Sequence, residues 1–207
     1  MQHLSPLHAD CSLRLVLLRH GEPALAAPGL CYGKLDVDLS SNGREQIRSK
    51  LPFLKLTKPD VLYTSPRRRA VETAGIVGEA LALIPQTAEE LAEIDFGDFE
   101  GRTYDEIEKV YPGEFKMWME QPAIITFPGG ENFTSLKQRV LSFTGPLRQI
   151  HQRQTVVIVA HGGVNRVILA QAFGMTDAMA FRIGQSFAGA SMIDYFGDDP
   201  VVRLING

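Results

Sequence analysis

The side chains of this 207-residue chain that could do chemistry together are two histidines, two arginines and one of several clustered carboxylates. His20 and His161 each end an apolar run and each precede glycine, in Arg19-His20-Gly21-Glu22 and His161-Gly162-Gly163. A histidine at the end of a buried strand is ordinarily a satisfied core residue. Two in matching positions, one beside Arg19, shift the weight toward function, and the following glycine lets a ligand approach the backbone. His3, His8 and His151 lie in polar segments and are expected on the surface. A third cluster, Ser65-Pro66-Arg67-Arg68-Arg69-Ala70, also follows an apolar run. Serine is a good N-cap and proline a good first helical residue, so the arginines should fill a first turn. Positive charge there opposes the helix dipole, and a solvated charge run is the simplest account of it. Helical spacing separates the three. Arg68 leads Glu72, Gly75 and Glu79, a solvent face, whereas Arg69 leads Thr73, Ile76 and Ala80 beside the apolar row Ala70, Ala74, Val77 and Leu81. Arg69 therefore points inward, Arg67 is ambiguous, and an inward arginine at a helix start calls for an anion.

A metal held by the histidines with Glu93 or Asp95 is the competing arrangement, but two guanidiniums would repel a divalent cation. A phosphate fits the same charges, because arginine binds its oxygens bidentately. Phosphoryl transfer needs a nucleophile, anion stabilisation and a proton source. Neighbouring positive charge favours neutral histidine, the nucleophilic form. The proton source should be a carboxylic acid, and residues 91–101 offer Glu93, Asp95, Asp98 and Glu100. Spacing alone does not choose among them.

These residues must be brought together by the elements that precede them. Leu13–Leu18, Val61–Thr64 and Thr155–Ala160 are short, nearly continuous apolar runs, suited to strands buried on both faces. Ser191–Tyr195 and Val201–Ile205 read as two more strands, joined by the turn Gly197-Asp198-Asp199-Pro200. Phe133, Leu136, Val140, Phe143, Leu147 and Ile150 lay one apolar stripe along a helix, with a kink or break predicted at Gly145-Pro146. Alternating strands and helices predict a three-layer α/β/α sandwich with a mostly parallel central sheet. Sites in such sheets form at the carboxyl ends of the strands, where all three polar clusters fall.

The length fits one domain, taken as residues 13–207 after a short polar extension over 1–12. At 44% hydrophobic and 22% charged, the chain can bury a sizeable core, which argues against disorder. A net charge of −3 argues against nucleic acid and anionic membranes as partners. No apolar run reaches the ~18 residues of a spanning helix. Cys11 and Cys31 make neither a disulfide framework nor a zinc pattern, and with no export signal they point to the cytoplasm.

Leu18-Arg19-His20-Gly21-Glu22, Thr64-Ser65 through Arg69-Ala70 to Thr73, Glu93-Ile94-Asp95-Phe96-Gly97 and His161-Gly162-Gly163 resemble the histidine phosphatase superfamily, the phosphoglycerate mutase-like proteins. The likeness extends from Leu13 to about Ile205. It implies His20 as a nucleophile that becomes phosphohistidine. Arg19, Arg69 and His161 would hold the phosphoryl oxygens, and Glu93 would be the proton donor and acceptor. The resemblance implies no metal and no cofactor. Gly21, Glu22, Tyr32, Gly33 and Gly162 are carried over as further substrate- or phosphate-binding positions, and the backbone at Gly162-Gly163 would add anion donors. Pro23-Ala24-Leu25-Ala26 stands where many members place Ser or Thr and then Asn against the substrate phosphate. Glu22-Pro23, Cys31-Tyr32-Gly33-Lys34-Leu35-Asp36 followed by Leu39-Ser40, and Phe127-Pro128-Gly129-Gly130-Glu131 resemble the branch of the α-ribazole phosphatases.

A phosphomonoesterase acting on a small organic phosphate, with α-ribazole 5′-phosphate as a candidate, is therefore expected. Its rival is a cofactor-dependent phosphoglycerate mutase, and a more remote one is a non-catalytic phosphate-binding protein. A mutase must keep water from its phosphoenzyme. The lid expected around 96–130 leaves space for little beyond two short helices, the first begun by a capping box at Thr103/Glu106, which favours hydrolysis. Phe96, Phe99, Tyr104, Phe115, Trp118 and Phe127 lie in that segment. Most are expected in a small satellite core, and any that line the pocket would suit a flat or apolar leaving group. The oligomeric state stays open between monomer and homodimer.

Overall fold

Residues 7–25 and 29–207 are described by the computed structural model, so His3 and Ala26 lie outside the described residues. Along the chain run β1 (Leu13–Arg19), α1 (Ser41–Thr57), β2 (Val61–Thr64), α2 (Arg68–Leu81), β3 (Gln86–Thr87), α3 (Tyr104–Val110) and α4 (Pro112–Glu120). There follow α5 (Phe133–Thr144), α6 (Leu147–Ile150), β4 (Gln154–Ala160), α7 (Gly162–Phe173), α8 (Asp177–Ala180), β5 (Ala190–Phe196) and β6 (Asp199–Leu204).

The strands form one sheet in the order β3-β2-β4-β1-β5-β6. The first four are parallel, and β5 and β6 run antiparallel at the other edge. Alternation along the central strands divides the core. Val16, Leu18, Val157 and Val159 pack with Ile47 and Leu54 of α1 and Ala70, Ala74 and Val77 of α2. Leu13, Leu15, Leu17, Val156 and Ile158 pack with Leu136 and Val140 of α5 and Val164, Val167 and Ile168 of α7. Helices thus cover both faces, which explains why β1 and β4 read as unbroken apolar runs. Edge strand β6 instead alternates exposed and half-buried residues, and tolerates Pro200.

Several local expectations needed correction. Strand β6 starts at Asp199, paired with Phe196, so the turn is only Gly197-Asp198, with Gly197 at φ +63°. Strand β3 is two exposed residues long and carries no apolar pattern to detect. The stripe from Phe133 does break at Gly145-Pro146, and the break leaves Ile150 64% exposed. His151 is buried, not on the surface, because Tyr63 Oη lies 2.9 Å from its Nε2 and Gln154 Oε1 2.8 Å from its Nδ1.

Helix α2 begins at Arg68, and Ser65 is not its cap. Asp36 reaches across from another loop to accept the N–H of Arg68 at 2.8 Å, supplying the negative charge that the dipole favours. Between 96 and 130 the chain forms a single 3-10 turn at Gly97–Phe99, then α3 with the Thr103/Glu106 capping box, then α4.

Candidate active site

Sheet register sets the site. Arg19 pairs with Ala160 and Thr64 with Val159, so the residues just beyond β2, β4 and β1 line up in the order Ser65, His161, His20. His20 is 2% exposed and His161 fully buried, with ring centroids 5.1 Å apart. His20 Nδ1 lies 2.7 Å from the carbonyl oxygen of Gly21. A carbonyl can only accept, so the imidazole hydrogen sits on Nδ1. The second contact agrees: Arg69 Nε donates to His20 Nε2 at 3.3 Å, which requires a lone pair there. Burial, and then the charges of Arg69 and Arg19, hold His20 well below the ordinary histidine range. For His161 burial again leads, followed by Arg69, His20, Arg19 and Arg67.

Arg69 is fully buried, as its helical row predicts. Besides His20 it donates to the carbonyls of Leu35 (2.9 Å) and Gly33 (2.8 Å). Arginine carries five N–H donors, so two remain for a ligand. Arg19 donates to the carbonyl of Gln185 and lies 4.2 Å over the ring of Phe187, and its buried Nε has no hydrogen-bond partner among the described residues. Neither arginine has a carboxylate within ion-pair distance among the described residues, the state expected of cations kept for an incoming anion. Arg68 is at the surface, paired with Asp38 at 2.6 Å. Arg67 has a buried Nε with no hydrogen-bond partner among the described residues.

The four carboxylates separate cleanly. Asp95 is tied to Lys34 and to the N–H of Gly97, and Asp98 is exposed and near Tyr111 Oη. Glu100 accepts the N–H groups of Gly33, Lys34, Leu35 and Phe96, and so holds the 32–35 loop. Glu93 alone lines the cavity that also exposes Arg19, His20 and Arg69. Its Oε2 accepts the N–H of Gly163 at 3.1 Å, so that donor orients the acid and is not free for an anion. Behind it, Arg139 donates to the carbonyls of Glu90, Ala92 and Glu93 and pairs with both oxygens of Glu131.

The cavity measures about 400 Å³. Tyr32 and Gly162 line it, with the Tyr32 ring 5.0 Å from the Arg69 guanidinium. Three other expected binding positions are not among the residues that line it. Gly21 donates its N–H to Thr73 Oγ1, and a side chain there would collide with the backbone of Gly43. Gly33 spends its N–H on Glu100 and its carbonyl on Arg69. Glu22 accepts from Ser40 Oγ and Asn42 Nδ2, tying its loop to the start of α1 outside the cavity. Of the aromatic residues, Phe96, Tyr104, Trp118 and Phe127 face the cavity, Phe99 is fully buried and Phe115 lies off it. Among the described residues, no three His, Cys, Asp or Glu side chains gather as a metal site, and no helix is long and apolar enough to cross a membrane.

Two further residues at the site were not assigned to it from the sequence. Arg166, on α7, lines the cavity, and among the described residues only its Nε is bonded, to the carbonyl of Ile183. Ser65, which has the local signature of a cap, lies instead 2.7 Å from His161 Nε2.

The sequence profile of the histidine phosphatase superfamily (branch 1) matches residues 15–207. Phosphoserine phosphatase 1 of Hydrogenobacter thermophilus is 33% identical over 181 residues, 87% of this chain and 86% of that protein. Adenosylcobalamin/alpha-ribazole phosphatase of Escherichia coli is 33% identical over 198 residues, 94% of this chain and 96% of that protein. The crystal structure of the alpha-ribazole phosphatase from Shigella flexneri superposes with a TM-score of 0.86 at 28% identity, covering 94% and 96% of the two chains. The carboxyl-edge histidines and the profile thus lead to one conclusion: the chain is an enzyme of the histidine phosphatase superfamily.

Proposed function

We propose that the protein is a metal-independent phosphomonoesterase that works through a phosphohistidine at His20. The observation that carries this reading is the hydrogen bond from His20 Nδ1 to Gly21, which leaves the Nε2 lone pair beside Arg69. Nε2 attacks phosphorus as the P–O bond to the leaving alcohol breaks, and Glu93, as the carboxylic acid, gives that oxygen its proton. Arg19, Arg69 and His161 hold the phosphoryl oxygens and stabilise the charge that gathers on them. The Glu93 carboxylate then takes a proton from water, the water oxygen attacks phosphorus, and the P–N bond breaks to release inorganic phosphate and neutral His20. Gly163 and Arg139 orient the acid for both steps.

The leaving-group end of the cavity supports an aromatic or apolar alcohol, since Phe96, Tyr104, Trp118 and Phe127 form its wall. On that ground we favour α-ribazole 5′-phosphate as substrate, the compound class named for the E. coli relative. A site of action in the cytoplasm belongs to the same proposal, supported by two free, buried cysteines. The short α3–α4 segment favours hydrolysis over mutase chemistry.

Rapid quench with 32P-labelled esters tests the mechanism, with acid-labile label on His20 the expected result. Parallel turnover of α-ribazole 5′-phosphate, phosphoserine and 3-phosphoglycerate tests the substrate. A kcat/KM at least about tenfold higher for the first is expected, from the aromatic contacts. Preference for phosphoserine would move the assignment to that substrate. Formation of 2-phosphoglycerate, in place of free phosphate, would establish the mutase.

A further inference from the structure

Ser65 plays no part in the scheme above, yet its surroundings leave it a single task. It is fully buried just beyond β2. Its Oγ accepts the N–H of Arg67 at 3.3 Å and lies 2.7 Å from His161 Nε2. These are its side chain's only hydrogen bonds among the described residues.

A serine hydroxyl has one proton to give. If Oγ accepted from His161 as well as from Arg67, that proton would be buried with no acceptor, an arrangement native proteins avoid. The proton goes to Nε2 instead. A neutral imidazole that accepts at Nε2 carries its own hydrogen on Nδ1. His161 Nδ1 is buried and has no hydrogen-bond partner among the described residues. It is the ring atom left over for a ligand, in a residue whose ring centroid lies 5.1 Å from that of His20. Burial and the surrounding cations keep the ring neutral, so the choice of tautomer is a real one.

We infer that Ser65 is a positioning residue that fixes His161 as its Nδ1–H tautomer, so that this histidine meets the substrate's phosphoryl oxygens as a donor. The opposite tautomer would present a lone pair to oxygens that are themselves only acceptors. The inference rests on the phosphatase reading of the same pocket. It also explains why the serine gives up helix capping: Asp36 takes that task at Arg68, and the hydroxyl is released for His161.

Long-range 1H–15N correlation spectra of the full chain, labelled at histidine nitrogen, read the tautomer without turnover. A His161→Gln variant assigns the signals. The wild type should show the proton on Nδ1. In Ser65→Ala the single tautomer should give way to a mixture, and inorganic phosphate should bind about 10- to 100-fold more weakly, the loss of one hydrogen bond to a charged group. Ser65→Thr, which keeps a hydroxyl, should retain the Nδ1–H form. A wild-type proton on Nε2, or on both nitrogens, overturns the inference even if no variant folds. So does a Ser65→Ala protein whose tautomer and phosphate affinity are unchanged. Nδ1–H in a protein that never labels His20 would uphold the inference and defeat the catalytic reading instead.

Discussion

Arg69 Nε donates to His20 Nε2 across 3.3 Å, so the nitrogen proposed to attack phosphorus is held by a cation before substrate arrives. The same guanidinium ties down the 32–35 loop through the carbonyls of Gly33 and Leu35. Lysine cannot reproduce that fork, because its ammonium is a single point. Arg69→Lys should therefore lower kcat/KM by about 10²- to 10³-fold on any phosphomonoester. Backbone amides of Gly33–Leu35 should also exchange faster. A loss below about fivefold, far short of that range, would deny the guanidinium its part.

His20 and His161 are both held below the ordinary histidine range, chiefly by burial. For activity, the neutral nucleophile should persist as pH falls through the usual histidine value of about 6.5. The acid limb of kcat/KM attributable to His20 should accordingly lie below that value. Stability runs with the same sign. A histidine depressed in the folded state binds its proton more readily unfolded, so its contribution is full above about 6.5 and is lost as pH falls toward the folded value. Thermal midpoints measured without phosphate should decline below that pH. Replacing His161 by glutamine should flatten the decline, and an unchanged slope would place its cause elsewhere.

Glu93 is the carboxylate that faces the cavity, whereas Glu100 is consumed by four backbone N–H groups. A general acid matters most when the leaving oxygen is basic. Glu93→Gln should slow hydrolysis of alkyl phosphates by about 10²- to 10⁴-fold. Hydrolysis of p-nitrophenyl phosphate, whose leaving group needs no proton, should fall far less. Equal losses on both esters would point to a purely structural carboxylate. Glu100→Gln should instead disorder the 32–35 loop and affect the two esters alike.

Arg139 supports that acid from behind. Burial pushes the Glu131 carboxyl up, but hydrogen bonds from Arg139 and the Asp95 N–H leave it below the usual carboxylate range. A depressed acid stabilises the fold above its unfolded value and loses that contribution as pH falls through the folded one. Arg139→Met strands Glu131 and three carbonyls, at a cost of about 2–4 kcal/mol in urea unfolding. kcat should fall with KM little changed, because the Glu93 carbonyl loses its anchor. A variant of full stability would show that solvent replaces these bonds.

Strands β1 and β4 were legible because both faces of each are buried, so their apolar runs are continuous. Arg69 was legible because a helix repeats its burial every three or four residues. Ser65 was not, since serine before proline carries the same local signal whether its hydroxyl caps a helix or meets a histidine 96 residues away. His151 was misjudged for a like reason: its sequence neighbours are polar, but its partner Tyr63 lies far along the chain on β2. Arg166 had no signal at all, because nothing along α7 tells that the turn above Gly162 opens on the cavity. Glu93 differs from the acids around it only in which of them the backbone consumes, and spacing does not encode that.

Trp118 offers the sharpest test of the leaving-group wall. It stands edge-on to Tyr104 at 5.3 Å and to Phe127 at 5.5 Å, with Phe96 tilted against it at 5.5 Å, and all four face the cavity. His20, Arg19 and Arg69 line the same cavity. Trp118→Leu keeps an apolar side chain of lower area, so the phosphoryl end should keep its geometry. KM for an aromatic phosphate ester should rise by about 5- to 10-fold through lost ring contact. KM for a small alkyl phosphate should change by less than about twofold, since such a leaving group does not reach the wall. Equal shifts on both esters would mean that the tryptophan supports the fold of the segment and does not read the substrate.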